Sequence, residues 1–144
     1  MKYKTIFVFL VILLNGCEKE SIVPNIQFDV LIDLSNPKYA NKEVFNLNEV
    51  EDWSTGTMVR VGYSGVIVYK SANYKAFEKY CPHDKNNNCK VNIKPNETTK
   101  AVCNCCKTEF LLLTGEVVSG ESKYGLKEYK TNYNATQNLL RIWN

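Results

Sequence analysis

AVCNCCKTEF, residues 101–110, carries three thiols within four positions, at Cys103, Cys105 and Cys106. Neighbouring cysteines compete for the same partners, so such crowding calls for an explanation. A second group, Cys81-Pro82-His83, lies upstream with Cys89 between the two. Each group stands where an apolar alternation gives way to turn residues, which places both on loops at strand ends. Two such loops can converge on one ion.

The surrounding chain reads as short strands. Residues 25–34 alternate Ile26, Phe28, Val30, Ile32 and Leu34 on one face, the period of a half-buried strand, and Ser35-Asn36-Pro37 ends it. Residues 57–62 and 66–70 flank Tyr63-Ser64-Gly65 and predict a hairpin. Further strands are predicted around residues 75–80, 100–103, 109–113, 116–118, 126–133 and 139–143, with turns at Thr114-Gly115 and Asn134-Ala135-Thr136. About nine short strands indicate an antiparallel all-β domain. Residues 48–53 could form a single helical turn. Tyr124, Tyr129 and Tyr133 are assigned to packing on strand faces, and Trp53 and Trp143 to core or edge packing.

Cys-x-His followed by Cys-x-x-(ligand) resembles the Rieske iron-sulfur domain, in which two loops hold a 2Fe-2S cluster. Phe110, the Thr114-Gly115 turn and the spacing Gly120-x5-Leu126-x2-Tyr129 resemble the part of that fold in which a third loop covers the cluster. The resemblance spans residues 26–144 and implies an antiparallel β-sandwich with two metal-binding loops. Two thiolates hold one iron in that family and two imidazoles the other. Carried over, Cys81 and Cys103 would be the thiolates and His83 one imidazole. The fourth ligand position falls on Cys106, and His83 is the only histidine in the chain. The resemblance also implies a disulfide between the loops, at Cys89 and Cys105. Here Cys89 lies six residues beyond His83, and 19 residues separate His83 from Cys103, which implies an enlarged first loop. On this assignment Cys103 and Cys106 turn to the metal and Cys105 to the other loop. Three ligands and one bridge account for all five cysteines that remain once Cys17 is set aside.

Cys17 belongs to the N-terminal segment. MKYKTIFVFLVILLNGC starts with Lys2 and Lys4, continues through an apolar run and ends on Leu14-Asn15-Gly16-Cys17. The run is too short to span a bilayer, which takes about 20 apolar residues, and its layout is that of a cleaved export signal over residues 1–16. The last four residues resemble the lipobox of bacterial lipoproteins, which implies acylation of Cys17, a tether over residues 17–25, and a place on a membrane of the bacterial cell envelope. Without a twin-arginine pair the chain is expected to cross unfolded.

Without Lys2 and Lys4 the chain keeps sixteen basic against fifteen acidic residues. That near-neutrality, with no cluster of lysines along the sequence, argues against nucleic acid as a partner. A single histidine, no Gly-rich phosphate loop and no G-x-S-x-G leave no catalytic site in view. The expected role is one-electron transfer to a redox partner protein. Two alternatives use the same residues: a zinc site of Cys81, Cys103, Cys106 and either His83 or Cys89, or no metal and a second disulfide. Either would make the chain an envelope lipoprotein with a binding or structural role.

Overall fold

Strands form where alternating side chains find a face to bury and the backbone finds a partner for its hydrogen bonds. The computed structural model describes residues 22–86 and 88–144, so the export segment, Cys17 and most of the tether lie outside the described residues. Twelve strands and no helix occur among the described residues: β1 Asp29–Asp33, β2 Val44–Leu47, β3 Glu49–Glu51, β4 Met58–Arg60, β5 Val66–Lys70, β6 Tyr74–Glu78, β7 Val91–Lys94, β8 Glu97–Cys103, β9 Glu109–Leu111, β10 Val117–Ser119, β11 Glu128–Asn134 and β12 Leu139–Trp143. A six-stranded sheet runs β1-β12-β11-β6-β5-β2, a four-stranded sheet runs β10-β9-β8-β7, and β3 pairs with β4. The strand pairs are antiparallel, as the alternation predicted.

The central hairpin β5–β6 is buried on both faces because two cores meet across it. Val66, Val68, Tyr74 and Ala76 join one core with Val30, Ile32, Phe45, Leu140 and Ile142. Ile67 and Phe77, pointing the other way, join a second core with Phe110, Leu112, Leu126, Cys81, Cys89 and Cys103. The period of two thus sorts one hairpin between two layers. The second layer is the four-stranded sheet, and its loops carry the cysteines.

Several expectations from the sequence are corrected. The segments flanking residues 63–65 do not pair with each other: β4 pairs with β3, and β5 pairs with β2 and β6. The connecting N–H groups of Tyr63 and Ser64 go instead to the Glu78 carboxylate, at 2.6 and 2.8 Å. Residues 48–53 form no helical turn, since Glu49–Glu51 is strand β3. The first strand is limited to Asp29–Asp33, the residues that face β12. Trp53 is 58% exposed and packs in neither core; Tyr124 and Tyr133 are also exposed, and of the three tyrosines only Tyr129 is buried. Strands β2 and β7 were not anticipated, because four residues carry too short an alternation to stand out.

Candidate metal centre

Strand β6 leads into the first loop and strand β8 into the second. Cys81 N–H donates to the Cys89 carbonyl at 3.1 Å, closing the first loop on itself. In the second loop the Lys107 N–H reaches the Cys103 carbonyl at 3.2 Å and the Cys103 N–H reaches the Thr108 carbonyl at 2.9 Å, so the chain doubles back and returns Cys106 towards Cys103. Asn104 stitches the loops together: its backbone N–H donates to the Lys90 carbonyl at 3.0 Å, and its side-chain oxygen accepts from the Lys90 N–H at 2.8 Å. A disulfide between Cys89 and Cys105 adds a covalent link across 16 residues of sequence.

The result is a group of three free thiols. Cys81, Cys103 and Cys106 are unbridged, and their sulfurs lie within 4.8 Å of one another. Cys81 and Cys106 are 3.7 Å apart. Cys81 and Cys103 are wholly buried and Cys106 is half-buried. Burial pushes the Cys81 thiol up to about 12, and its hydrogen bond with Cys103 adds to the rise, while the N–H groups of His83 and Asp84 aimed at the sulfur oppose it. Cys106 moves the other way: burial works against its ionisation but is outweighed by the Thr108 hydroxyl and N–H and by the two neighbouring thiols. Backbone N–H groups directed at sulfur are what a loop built around thiolates requires.

Thr108 is the residue that ties the third loop to this group. It is wholly buried, and its hydroxyl oxygen accepts the N–H groups of Glu121 at 3.1 Å and Ser122 at 3.2 Å. The Cys106 thiol donates to the same oxygen across 3.2 Å, and the hydroxyl turns its own proton to the sulfur once Cys106 ionises. The approach depends on Gly120, whose φ is +108° and where a Cβ would come 2.5 Å from the Thr108 Cα. His83 sits at the edge of this arrangement. It is exposed, its Nε2 is 3.8 Å from a Glu121 carboxylate oxygen, and its ring is outside the three-sulfur group.

The family model of the Rieske [2Fe-2S] domain matches residues 42–130. The chain belongs to the Rieske family. No curated protein matches the sequence. The matched span covers β2 to the first residues of β11 and contains both cysteine loops and the third loop. Rieske membership implies an iron-sulfur electron carrier, and the cysteine group can hold a metal. The donor chemistry fits a 2Fe-2S cluster: three thiols converge from two stapled loops, N–H groups point at two of the sulfurs, and an imidazole stands on the first loop. It departs from the family pattern in one respect, a thiol at Cys106 where an imidazole is usual.

Reading the sequence did not single out Thr108, Asn104 or Glu78. Glu78 left a trace. In YKAFE it has the same parity as Tyr74 and Ala76, so strand alternation turns a carboxylate inward. It is wholly buried and accepts from the N–H groups of Tyr63, Ser64 and Tyr80 and from the Tyr129 hydroxyl at 2.6 Å. Thr108 and Asn104 left none, because what they bond to is set by loops meeting in space.

Proposed function

We propose that this chain is a one-electron carrier tethered to a membrane of the bacterial envelope through lipid on Cys17. Cys81 and Cys103 would hold one iron of a 2Fe-2S cluster, and His83 and Cys106 the other. When bound, the cluster supplies reversible one-electron transfer and no substrate chemistry. The observation that carries this reading is the convergence of three unbridged thiols from two loops that a disulfide and Asn104 hold together.

The residues around the centre have separate tasks. Phe77, Phe110, Leu112 and Leu126 keep water from the inner thiols and lower the local dielectric. The N–H groups of His83 and Asp84 offset charge on the Cys81 sulfur, and Thr108 does so at Cys106. The Glu121 carboxylate stands 3.8 Å from His83 Nε2 and sets a negative charge beside that ring.

One observation favours a second reading. Ligands of a single tetrahedral zinc, with Zn–S of about 2.3 Å, lie about 3.8 Å apart, and Cys81 and Cys106 stand 3.7 Å apart. In a two-iron cluster with these two residues on different irons they would be more widely separated. Metal and acid-labile sulfide analysis of the purified chain, with electron paramagnetic resonance after reduction, decides between the two. Two irons and two sulfides per chain support the carrier; one zinc and no sulfide replaces it with a structural metal site.

A further inference from the structure

The tether and the charge of the metal-loop end point to how the domain sits on its membrane. Ile22 lines a cleft of about 320 Å³ together with Pro82 of the first loop and Lys123, Tyr124, Gly125, Leu126 and Lys127 after the third. The next residue, Val23, is buried, and Asn25 is tied to Lys127 by a 2.9 Å hydrogen bond. The chain therefore enters the domain beside the residue that follows Cys81. Four residues separate Cys17 from Ile22, and five steps of at most 3.3–3.6 Å reach about 18 Å. A domain of this size has a radius of gyration of about 14 Å and so a diameter of about 35 Å. The tether is shorter than the domain, and the far end, the turn between β5 and β6 at residues 71–73, cannot be laid on the bilayer.

Charge then selects among the orientations left. Lys85, Lys90, Lys107 and Lys123 are exposed on the three loops, against Asp84 and Glu121. Glu121 faces His83. The chain as a whole is close to neutral, so this excess is local to one end.

We infer that the metal-loop end of the domain lies against the membrane, its basic rim on anionic lipid headgroups. The inference rests on the acylation of Cys17 proposed above. It turns the metal centre towards partners in the plane of the membrane and away from the bulk solution. Attraction of this kind acts within a Debye length, about 10 Å or less at ordinary salt, and a tether that reaches at most about 18 Å lets the loop end approach to that distance.

The test uses the full lipidated chain bound to vesicles of mixed phosphatidylglycerol and phosphatidylcholine, and to vesicles of phosphatidylcholine alone. Flotation reports anchoring, and brief acetylation read by peptide mass spectrometry reports lysine access. In the anionic vesicles Lys85, Lys107 and Lys123 should react about fivefold more slowly than in the zwitterionic ones, while Lys42 and Lys70, near the opposite end, stay equally reactive. Uniform labelling of a chain that floats overturns the orientation and leaves the anchor standing. Protection that is the same in both vesicles also overturns it. A chain that does not float with either overturns the anchor, and the orientation with it.

Discussion

The Glu78 carboxylate is the point at which the two cores and the first loop are held together, and its replacement offers a test with a calculable size. Its two oxygens accept four donors: Ser64 and Tyr80 N–H on Oε1, Tyr63 N–H and the Tyr129 hydroxyl on Oε2. Gly62, at φ +67°, lets residues 62–65 curl close enough, since a Cβ there would stand 2.8 Å from Oε2. In Glu78→Gln one oxygen becomes an NH2 that cannot accept. The phenol of Tyr129 can turn and accept from it, but Tyr63 N–H cannot, which leaves at least one buried donor unpaired and removes the charge from the other bonds. An unpaired buried donor costs about 1–3 kcal/mol and each bond to a charged group contributes about 1.5–3 kcal/mol, so a loss of about 2–4 kcal/mol is expected. Tyr129→Phe removes one such bond and should cost about 1.5–3 kcal/mol. With a urea slope of about 2 kcal/mol per M, the Glu78→Gln midpoint falls by about 1–2 M. The assay is equilibrium urea unfolding by tyrosine and tryptophan fluorescence, with the disulfide kept oxidised. The double variant should lose less than the two singles added, because the Tyr129 bond is counted in both. A loss below about 0.5 kcal/mol for Glu78→Gln, the level of ordinary surface changes, would refute the account of Glu78 as the anchor of the Tyr63 loop.

Three further outcomes are expected. Replacing Cys106→His restores the second imidazole of the family pattern, and the reduction potential should rise from between the all-cysteine and two-histidine ranges, about −400 to −150 mV, into the two-histidine range of about −150 to +300 mV; a redox titration that finds no change removes Cys106 from the ligand set. Asp52 reports on acid stability: burial alone would raise its carboxyl, but hydrogen bonds from Ser54, Leu31 and Thr55 outweigh it and take it to about 2. Its folded value is depressed, so its contribution is complete above about pH 4 and is lost as pH falls towards 2; Asp52→Asn should flatten the unfolding profile in that window and nowhere above it. Cys105→Ser opens the link to Cys89 across 16 residues and should cost about 3 kcal/mol of unfolding free energy in a denaturant titration, together with faster metal release to a chelator.

Much of the fold was legible from local chemistry. Ile32 and Leu34, or Phe110 and Leu112, alternate as a strand must if one face is buried, and the spacing of Cys81, His83, Cys103 and Cys106 carried the family resemblance to which the chain belongs. Strand partners were less legible. The segments on either side of Tyr63-Ser64-Gly65 have hairpin-like turn chemistry, but that chemistry also suits a loop wrapped around a carboxylate. Trp53 and Met58 show the same limit: both are apolar by type, and both are exposed because β3 and β4 form a hairpin outside the two main sheets.

By itself, the order of residues determined which segments could be strands, which loops would carry thiols, and that an odd set of five cysteines beyond Cys17 could not be closed by disulfides alone. Those properties depend on near neighbours and on counting. Tertiary structure alone decided that Asn104 clasps Lys90 across the two cysteine loops, that Thr108 serves the third loop and Cys106 together, and that Glu78 is shielded from water by four donors. The physical reason is that each of these contacts joins backbone from different strands, and its energy exists only once the sheets have brought those strands within hydrogen-bonding distance.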